Sequence, residues 1–190
     1  MINRLVEYVE KADYHLTTGF LTTQPMFGIL CDSGYADLAW QMFRAETYPS
    51  WKYMIQTGAT TITETWKGIT EEDPWGSLNH FALGSICSWF FEYLGGIRVN
   101  ESKPGLKKII LKPVFIEEVG QFEICYKTKN GIIKSQWEFR EGHIEWKIHV
   151  PSDTVAEIYL PGKEVAVKNS GAYVFYVNAI ENAHQIVLKK

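Results

Sequence analysis

Cysteine is scarce. Cys31, Cys87 and Cys125 are far apart and odd in number, which argues against a disulfide framework, and each falls in an apolar pattern of the kind that buries a reduced thiol. Long hydrophobic runs are missing too: no stretch of about 18 apolar residues offers a bilayer span. Charge of one sign is not concentrated anywhere. The 19 Lys and Arg against 22 Asp and Glu give a net charge of −3, too balanced and scattered for a nucleic-acid footprint or a membrane-surface patch. The sequence also lacks a Gly-rich phosphate loop, paired Cys or His at zinc spacing, and a Gly-x-Ser-x-Gly elbow, so no metal or cofactor is expected. The opening MINRLVEYVE has neither the long apolar core nor the small-residue cleavage site of a secretion signal and reads as the start of a helix. The compartment stays open between cytoplasm and periplasm.

What the chain does have is apolar and aromatic side chains, at 46% and 14% of 190 residues. That is enough to build one large core or two small ones. Leu5, Val6 and Val9 lie at helical spacing ahead of a loop from Asp13 to Gly19. Pro25 suits the first turn of a helix running to Cys31, and Tyr35 to Ala45 follows with Leu38, Ala39, Met42 and Phe43 on one face, completing a helical hairpin. Ser50 can cap a helix from Trp51 to Gln56 that stops at Gly58. Ser77 is placed to cap a long helix reaching Leu94, apolar nearly all round and so expected to be buried on most faces. From about Asn100 the pattern changes. Asn100 to Gly105 reads as a linker, and the sequence beyond it alternates with a period of two. Phe122, Ile124 and Tyr126 lead to an Asn130-Gly131 hairpin, Trp137 and Phe139 return, and Glu141-Gly142 turns into Ile144, Trp146, Ile148 and Val150. Further strands are expected at Val155 to Leu160, Tyr173 to Val177 and Ile186 to Leu188, making a small antiparallel sandwich.

Between the helices, Gly58 to Trp66 (GATTITETW) combines a lone carboxylate, an indole and several hydroxyls without apolar periodicity. Glu64 can polarise water or accept a proton, and the Trp66 face suits the C–H surface of a sugar ring. The same nine residues also suit a surface loop whose threonines cap a helix and whose Glu is merely solvated. His80, three residues past Ser77, can present a ring nitrogen to a hydroxyl or simply pack at a helix start. Trp51 sits at helical spacing, where an aromatic serves core as readily as site. His15 and Trp75 are weaker candidates.

Four segments occur in order: YHLTTGF from Tyr14, YPSW from Tyr48, GATTITETW from Gly58 and SLNH from Ser77. Together they resemble the bacterial α-L-rhamnosidases of glycoside hydrolase family 78. The resemblance continues through KKIILKP from Lys107 and YKTKNGIIKSQW from Tyr126, which are similar to the first strands of that family's C-terminal β-domain, so it covers nearly the whole chain. It implies a partial (α/α)6 barrel over residues 1–99 followed by an antiparallel β-sandwich over 105–190. It also implies inverting hydrolysis of terminal α-L-rhamnosides, with a rhamnose-containing glycan or glycoside as partner.

Inversion requires two carboxyl groups roughly 6.5–9.5 Å apart, so that a water fits beside one of them. By resemblance Glu64 is the general base, Trp66 helps wall the pocket, His80 contacts the sugar, and Trp51 lies in a matching motif. The upstream acidic motif that carries the family's general acid has no counterpart here. Glu46, flanked by helix positions, Glu71 and Glu72 in an acidic turn, and Glu92 late in a buried helix do not replace it. About five helices precede the strands where a full barrel has twelve, so the resemblance implies the C-terminal part of a larger enzyme, its helices covered by an N-terminal barrel portion or by self-association. The competing class is a carbohydrate-binding or interaction module that holds sugars without cleaving them.

Overall fold

The computed structural model describes residues 1–68, 76–99 and 106–179. It separates into two compact units, Met1–Trp89 and Phe90–Lys190.

The first unit is helical. Helix α1 (Ile2–Lys11) turns Val9 inward. Helix α2 spans Phe20–Asp32, five residues longer at its start than the proline predicts. Gly19 is its extended N-cap, and the Thr22 and Thr23 hydroxyls donate to the Gly19 carbonyl at 3.3 and 3.0 Å. Pro25 therefore lies inside the helix, where it removes one backbone bond. Helix α3 (Ala36–Phe43) packs back on α2 and buries Ala39 and Met42. Helix α4 (Trp51–Gln56) begins as its sequence predicts, with the Tyr53 N–H donating to Ser50 Oγ at 3.0 Å. It ends in a Schellman motif. The Gly58 N–H reaches the Ile55 carbonyl at 3.0 Å and the Ala59 N–H reaches that of Met54 at 3.1 Å, while Gly58 takes φ +94°.

The single helix expected from Ser77 to Leu94 is instead three pieces: α5 (Phe81–Gly84), α6 (Ile86–Trp89) and a π-helical turn at Phe90–Leu94. Its cap is His80 rather than Ser77. Ser85 Oγ donates to the Ala82 carbonyl and Ser88 Oγ to that of Ser85, so serine side chains occupy acceptors around the break. Nor is the segment buried on most faces. Leu83, Ile86, Trp89 and Leu94 are buried, whereas Phe81 is 79% exposed. The core of this unit is aromatic: Phe27 meets Trp51 and Trp89 edge-on at 5.7 and 5.2 Å, and Phe43 lies 5.6 and 5.9 Å from the same two indoles. Such edge-to-face pairs suit the ring quadrupoles.

The second unit is built on two four-stranded sheets. One contains β1 (Ile97–Val99), β2 (Lys108–Leu111), β6 (Val155–Ile158) and β7 (Ala166–Lys168) in the order β1-β2-β6-β7. The other is a meander of β3 (Gln121–Thr128), β4 (Gly131–Arg140) and β5 (His143–Val150), joined at its edge by β8 (Gly171–Asn178). All pairs are antiparallel except β2 and β6, which run parallel with Ile109 opposite Ala156. The β3–β4 loop is Lys129-Asn130, since Thr128 pairs with Gly131, one position earlier than the Asn-Gly signal predicts. The Glu141-Gly142 turn falls as expected between the paired Arg140 and His143. Strands β1 and β7, three residues each, are too short to show a period. The expected linker at 100–105 and the strand at 186–188 lie outside the described residues.

Inward side chains of both sheets form one core around Trp137 and Trp146, each with its N–H satisfied. Trp137 donates to the Leu94 carbonyl at 2.7 Å and Trp146 to Ser135 Oγ at 3.0 Å. Gly96, at φ +68°, lies so close to the β2 exit that a Cβ there would fall 2.1 Å from the Pro113 nitrogen. Of the cysteines only Cys31 is buried, accepting the Trp89 N–H at 3.2 Å. Cys87 and Cys125 are exposed, against the expectation from their apolar surroundings. For Cys125 the reason is register: with Phe122 and Ile124 packed on the core, alternation turns residue 125 outward.

Candidate active site

The site lies in the helical unit, on the stretch that leaves α4. Two backbone bonds and one side-chain bond clasp this stretch to the approach to α5. The Glu64 N–H donates to the Ser77 carbonyl at 2.9 Å, the His80 N–H donates to the Ile62 carbonyl at 2.9 Å, and the Thr61 hydroxyl donates to the Leu78 carbonyl. The clasp brings Glu64 and His80 together although 16 positions (80 − 64) separate them. Thr63, 2% exposed, anchors it from below. Its N–H points at Met54 Sδ (3.3 Å) and its hydroxyl donates to the Thr65 carbonyl at 2.7 Å. With Thr63 turned inward, its neighbour Glu64 is directed outward and remains about a third exposed.

One hydrogen bond anchors the Glu64 carboxylate and one ring flanks it. Oε2 accepts the Ser77 N–H at 2.9 Å, and Oε1 lies 3.9 Å from His80 Nε2. His80 is itself fixed, because Nδ1 accepts the Ala82 N–H at 3.2 Å as the cap of α5 and the ring stacks on Phe81 at 4.8 Å between centroids. Trp66 stands edge-on to Trp51, 5.0 Å between centroids at 83°. Trp51 is 5% exposed and spends its N–H on the Leu83 carbonyl at 3.2 Å. The structure thus places Trp51 behind the site, packed under the half-buried Trp66 and tied to α5. His15 lies elsewhere in this unit, bonded to Thr47 Oγ1 at 2.7 Å. Trp75, Glu71 and Glu72 fall outside the described residues.

Chemically, a partly exposed carboxylate held by a backbone N–H is suited to accept a proton from a water on its open side. Glu46 is unsuited to the opposite task of giving one. Its hydrogen bond and charge contact with Lys52 hold its carboxyl below the usual range and keep it ionised. Glu92 is exposed and belongs to the second unit. Among the described residues no group of three or more His, Cys, Asp or Glu is arranged to hold a metal ion.

Sequence reasoning missed Ser77, which serves the site through its main chain rather than as a helix cap, and Thr63 with Met54 beneath it. Backbone donors leave no mark in side-chain identity. Thr63 carries none either: it is one of four threonines in the run, and its neighbours Thr61 and Thr65 are exposed.

Residues 1–94 match the bacterial alpha-L-rhamnosidase 6 hairpin glycosidase domain, and residues 96–175 match the bacterial alpha-L-rhamnosidase C-terminal domain. The chain belongs to the bacterial α-L-rhamnosidase family. It is 36% identical to an alpha-L-rhamnosidase of Alteromonas sp. (strain LOR) over 174 residues, covering 89% of this chain and 19% of that protein. The solved alpha-L-rhamnosidase of Dictyoglumus thermophilum superposes with a TM-score of 0.84 at 29% identity, over 94% of this chain and 23% of that one. That of Streptomyces avermitilis, complexed with L-rhamnose, gives 0.79 at 29%, over 93% and 19%. The chain therefore spans about a fifth of the length of the relatives it matches.

Proposed function

We propose that this chain supplies the general-base side of an inverting α-L-rhamnosidase site acting on terminal α-L-rhamnosides. The observation that carries the reading is the Glu64 carboxylate, anchored through Oε2 by the Ser77 N–H and flanked at Oε1 by His80. Glu64 takes a proton from a water whose oxygen attacks the anomeric carbon on the face opposite the leaving group. The bond to the leaving oxygen then breaks, and that oxygen takes a proton from a general acid outside the described residues. Trp66 walls the sugar site, Trp51 sets the position of Trp66, and His80 presents its Nε2 beside Glu64 Oε1. The relatives' greater length supports a partner in the form of further barrel helices. So do Leu21, Ile29, Ile55 and Phe81, all more than half exposed on a unit whose core is otherwise closed.

The test uses two substrates. With an alkyl α-L-rhamnoside, whose leaving group needs protonation, the chain alone shows little or no turnover, because loss of general-acid assistance typically costs about 10²–10⁴-fold. With 2,4-dinitrophenyl α-L-rhamnoside, whose leaving group does not, the first sugar detected by proton NMR is the β-anomer, and Glu64→Gln slows its release by about 10²–10⁴-fold. Release of the α-anomer first, or an unchanged rate in Glu64→Gln, overturns the assignment. Binding of L-rhamnose with no turnover of either substrate makes the chain a sugar-binding module instead.

A further inference from the structure

The His80 ring is locked in one tautomer by a contact unrelated to sugar binding. A backbone N–H can only donate, so the Ala82 N–H at 3.2 Å requires Nδ1 to be the bare nitrogen. In the neutral ring the proton then sits on Nε2, the atom 3.9 Å from Glu64 Oε1. That gap is too long for a hydrogen bond. A carboxyl rotation that brings Oε1 about 1 Å closer would make one, and catalytic hydrogen bonds are often long before substrate arrives. Oε2 is already held by the Ser77 N–H at 2.9 Å, which leaves the swing of Oε1 about that anchor as the carboxylate's remaining freedom. The stack on Phe81 at 4.8 Å restrains rotation of the imidazole plane.

We propose that His80 is the positioning residue of the base. As helix cap it fixes its own tautomer, and the resulting Nε2–H sets the angle at which Glu64 Oε1 meets the attacking water. This rests on the reading of Glu64 as general base, and it assigns His80 a task separate from contact with the sugar.

Two substitutions separate the cap from the Glu64 contact. In His80→Asn the side-chain oxygen can still accept the Ala82 N–H, but nothing reaches Glu64. In His80→Gln the terminal amide can reach Glu64, but the cap is lost. With 2,4-dinitrophenyl α-L-rhamnoside, His80→Asn lowers kcat about 100-fold, in line with the cost of misplacing a reacting group by about 1 Å. Its melting temperature stays unchanged, and its kcat falls by a larger factor than its Kd for L-rhamnose rises. His80→Gln recovers part of kcat while melting lower. The reverse pattern, with kcat following stability, makes His80 structural only. A tenfold weaker Kd with kcat intact makes it a sugar ligand. A readout independent of turnover accompanies these: nitrogen-15 NMR of the neutral imidazole shows protonated Nε2 and bare Nδ1, and Glu64→Gln moves the Nε2–H resonance. If that resonance does not move, the positioning role is wrong even where Glu64 proves to be the base. If it moves while Glu64→Gln leaves turnover unchanged, the general-base reading fails and the His80–Glu64 coupling stands.

Discussion

Replacing Trp51 with phenylalanine distinguishes a tryptophan that touches sugar from one that supports a residue that does. The change removes the indole N–H that bonds the Leu83 carbonyl at 3.2 Å in a buried setting, and taking a donor from a buried acceptor costs about 1–3 kcal/mol. It also removes part of a ring system packed on Phe27, Phe43 and Trp66. Full truncation of a buried Trp or Phe costs about 3–5 kcal/mol, and phenylalanine refills most of the space, so this part adds roughly 1 kcal/mol. The expected loss is about 2–4 kcal/mol. With an m-value of about 2 kcal/mol/M in urea, the midpoint falls by about 1–2 M. Unfolding is followed by fluorescence alongside far-UV circular dichroism, so that the helical signal can be assigned to the first unit. Where native protein persists, the Kd for L-rhamnose stays within about twofold. A stability loss under about 0.5 kcal/mol together with abolished L-rhamnose binding would refute the reasoning and return Trp51 to the pocket wall.

Three other outcomes are expected. Gly96→Ala places a Cβ 2.1 Å from a backbone nitrogen at a residue with φ +68°, so the second unit should lose more than about 4 kcal/mol; a cooperative near-UV melt at the wild-type temperature would contradict this. Lys52→Ala removes the partner whose hydrogen bond and charge hold the Glu46 carboxyl below the usual carboxylate range, so its NMR titration midpoint rises. Because the folded value is the depressed one, the contribution of this pair is present at neutral pH and fades as pH falls through the folded midpoint, and an unmoved midpoint would show the pair to be inconsequential. Leu21, Ile55 and Phe81 are at least two-thirds exposed on the helical unit, so the isolated chain should bind a hydrophobic dye and self-associate in light scattering; a monomer that binds no dye would show these side chains to be an ordinary surface.

The meander was readable in the sequence because it obeys a single rule. Strands β3, β4 and β5 are long enough for period two to show, and Glu141-Gly142 sits at a turn that needs it. The helix from Ser77 was misread because its apolar residues gave a period but no sign that serines 85 and 88 turn their hydroxyls on the backbone. Pro25 misled for a related reason: proline marks where a helix can begin, and here Gly19 with Thr22 and Thr23 begins it earlier. At the site, Glu64, Trp66 and His80 stood out by residue type, and the ordered motifs supplied the family. The arrangement that orients them could not be read, because it runs through the main chain of Ser77, Ile62 and Ala82.

The parallel pairing of β2 with β6 bears on the order in which the second unit assembles. Lys108 pairs with Val155, 47 positions away (155 − 108), whereas β3, β4 and β5 are joined by two-residue loops. Closing the longer span carries an entropic cost that no local contact repays, so the meander can form first and the β1-β2-β6-β7 sheet must close over it later. During that interval the face bearing Trp137 and Trp146 is left open to water, because Ile109, Leu111, Ala156 and Ile158 of the shared core belong to the later sheet and Phe115, edge-on to both indoles, follows directly on β2. Native-state hydrogen exchange should follow the same division, with amides of β2 and β6 released through partial openings that leave β4 and β5 protected.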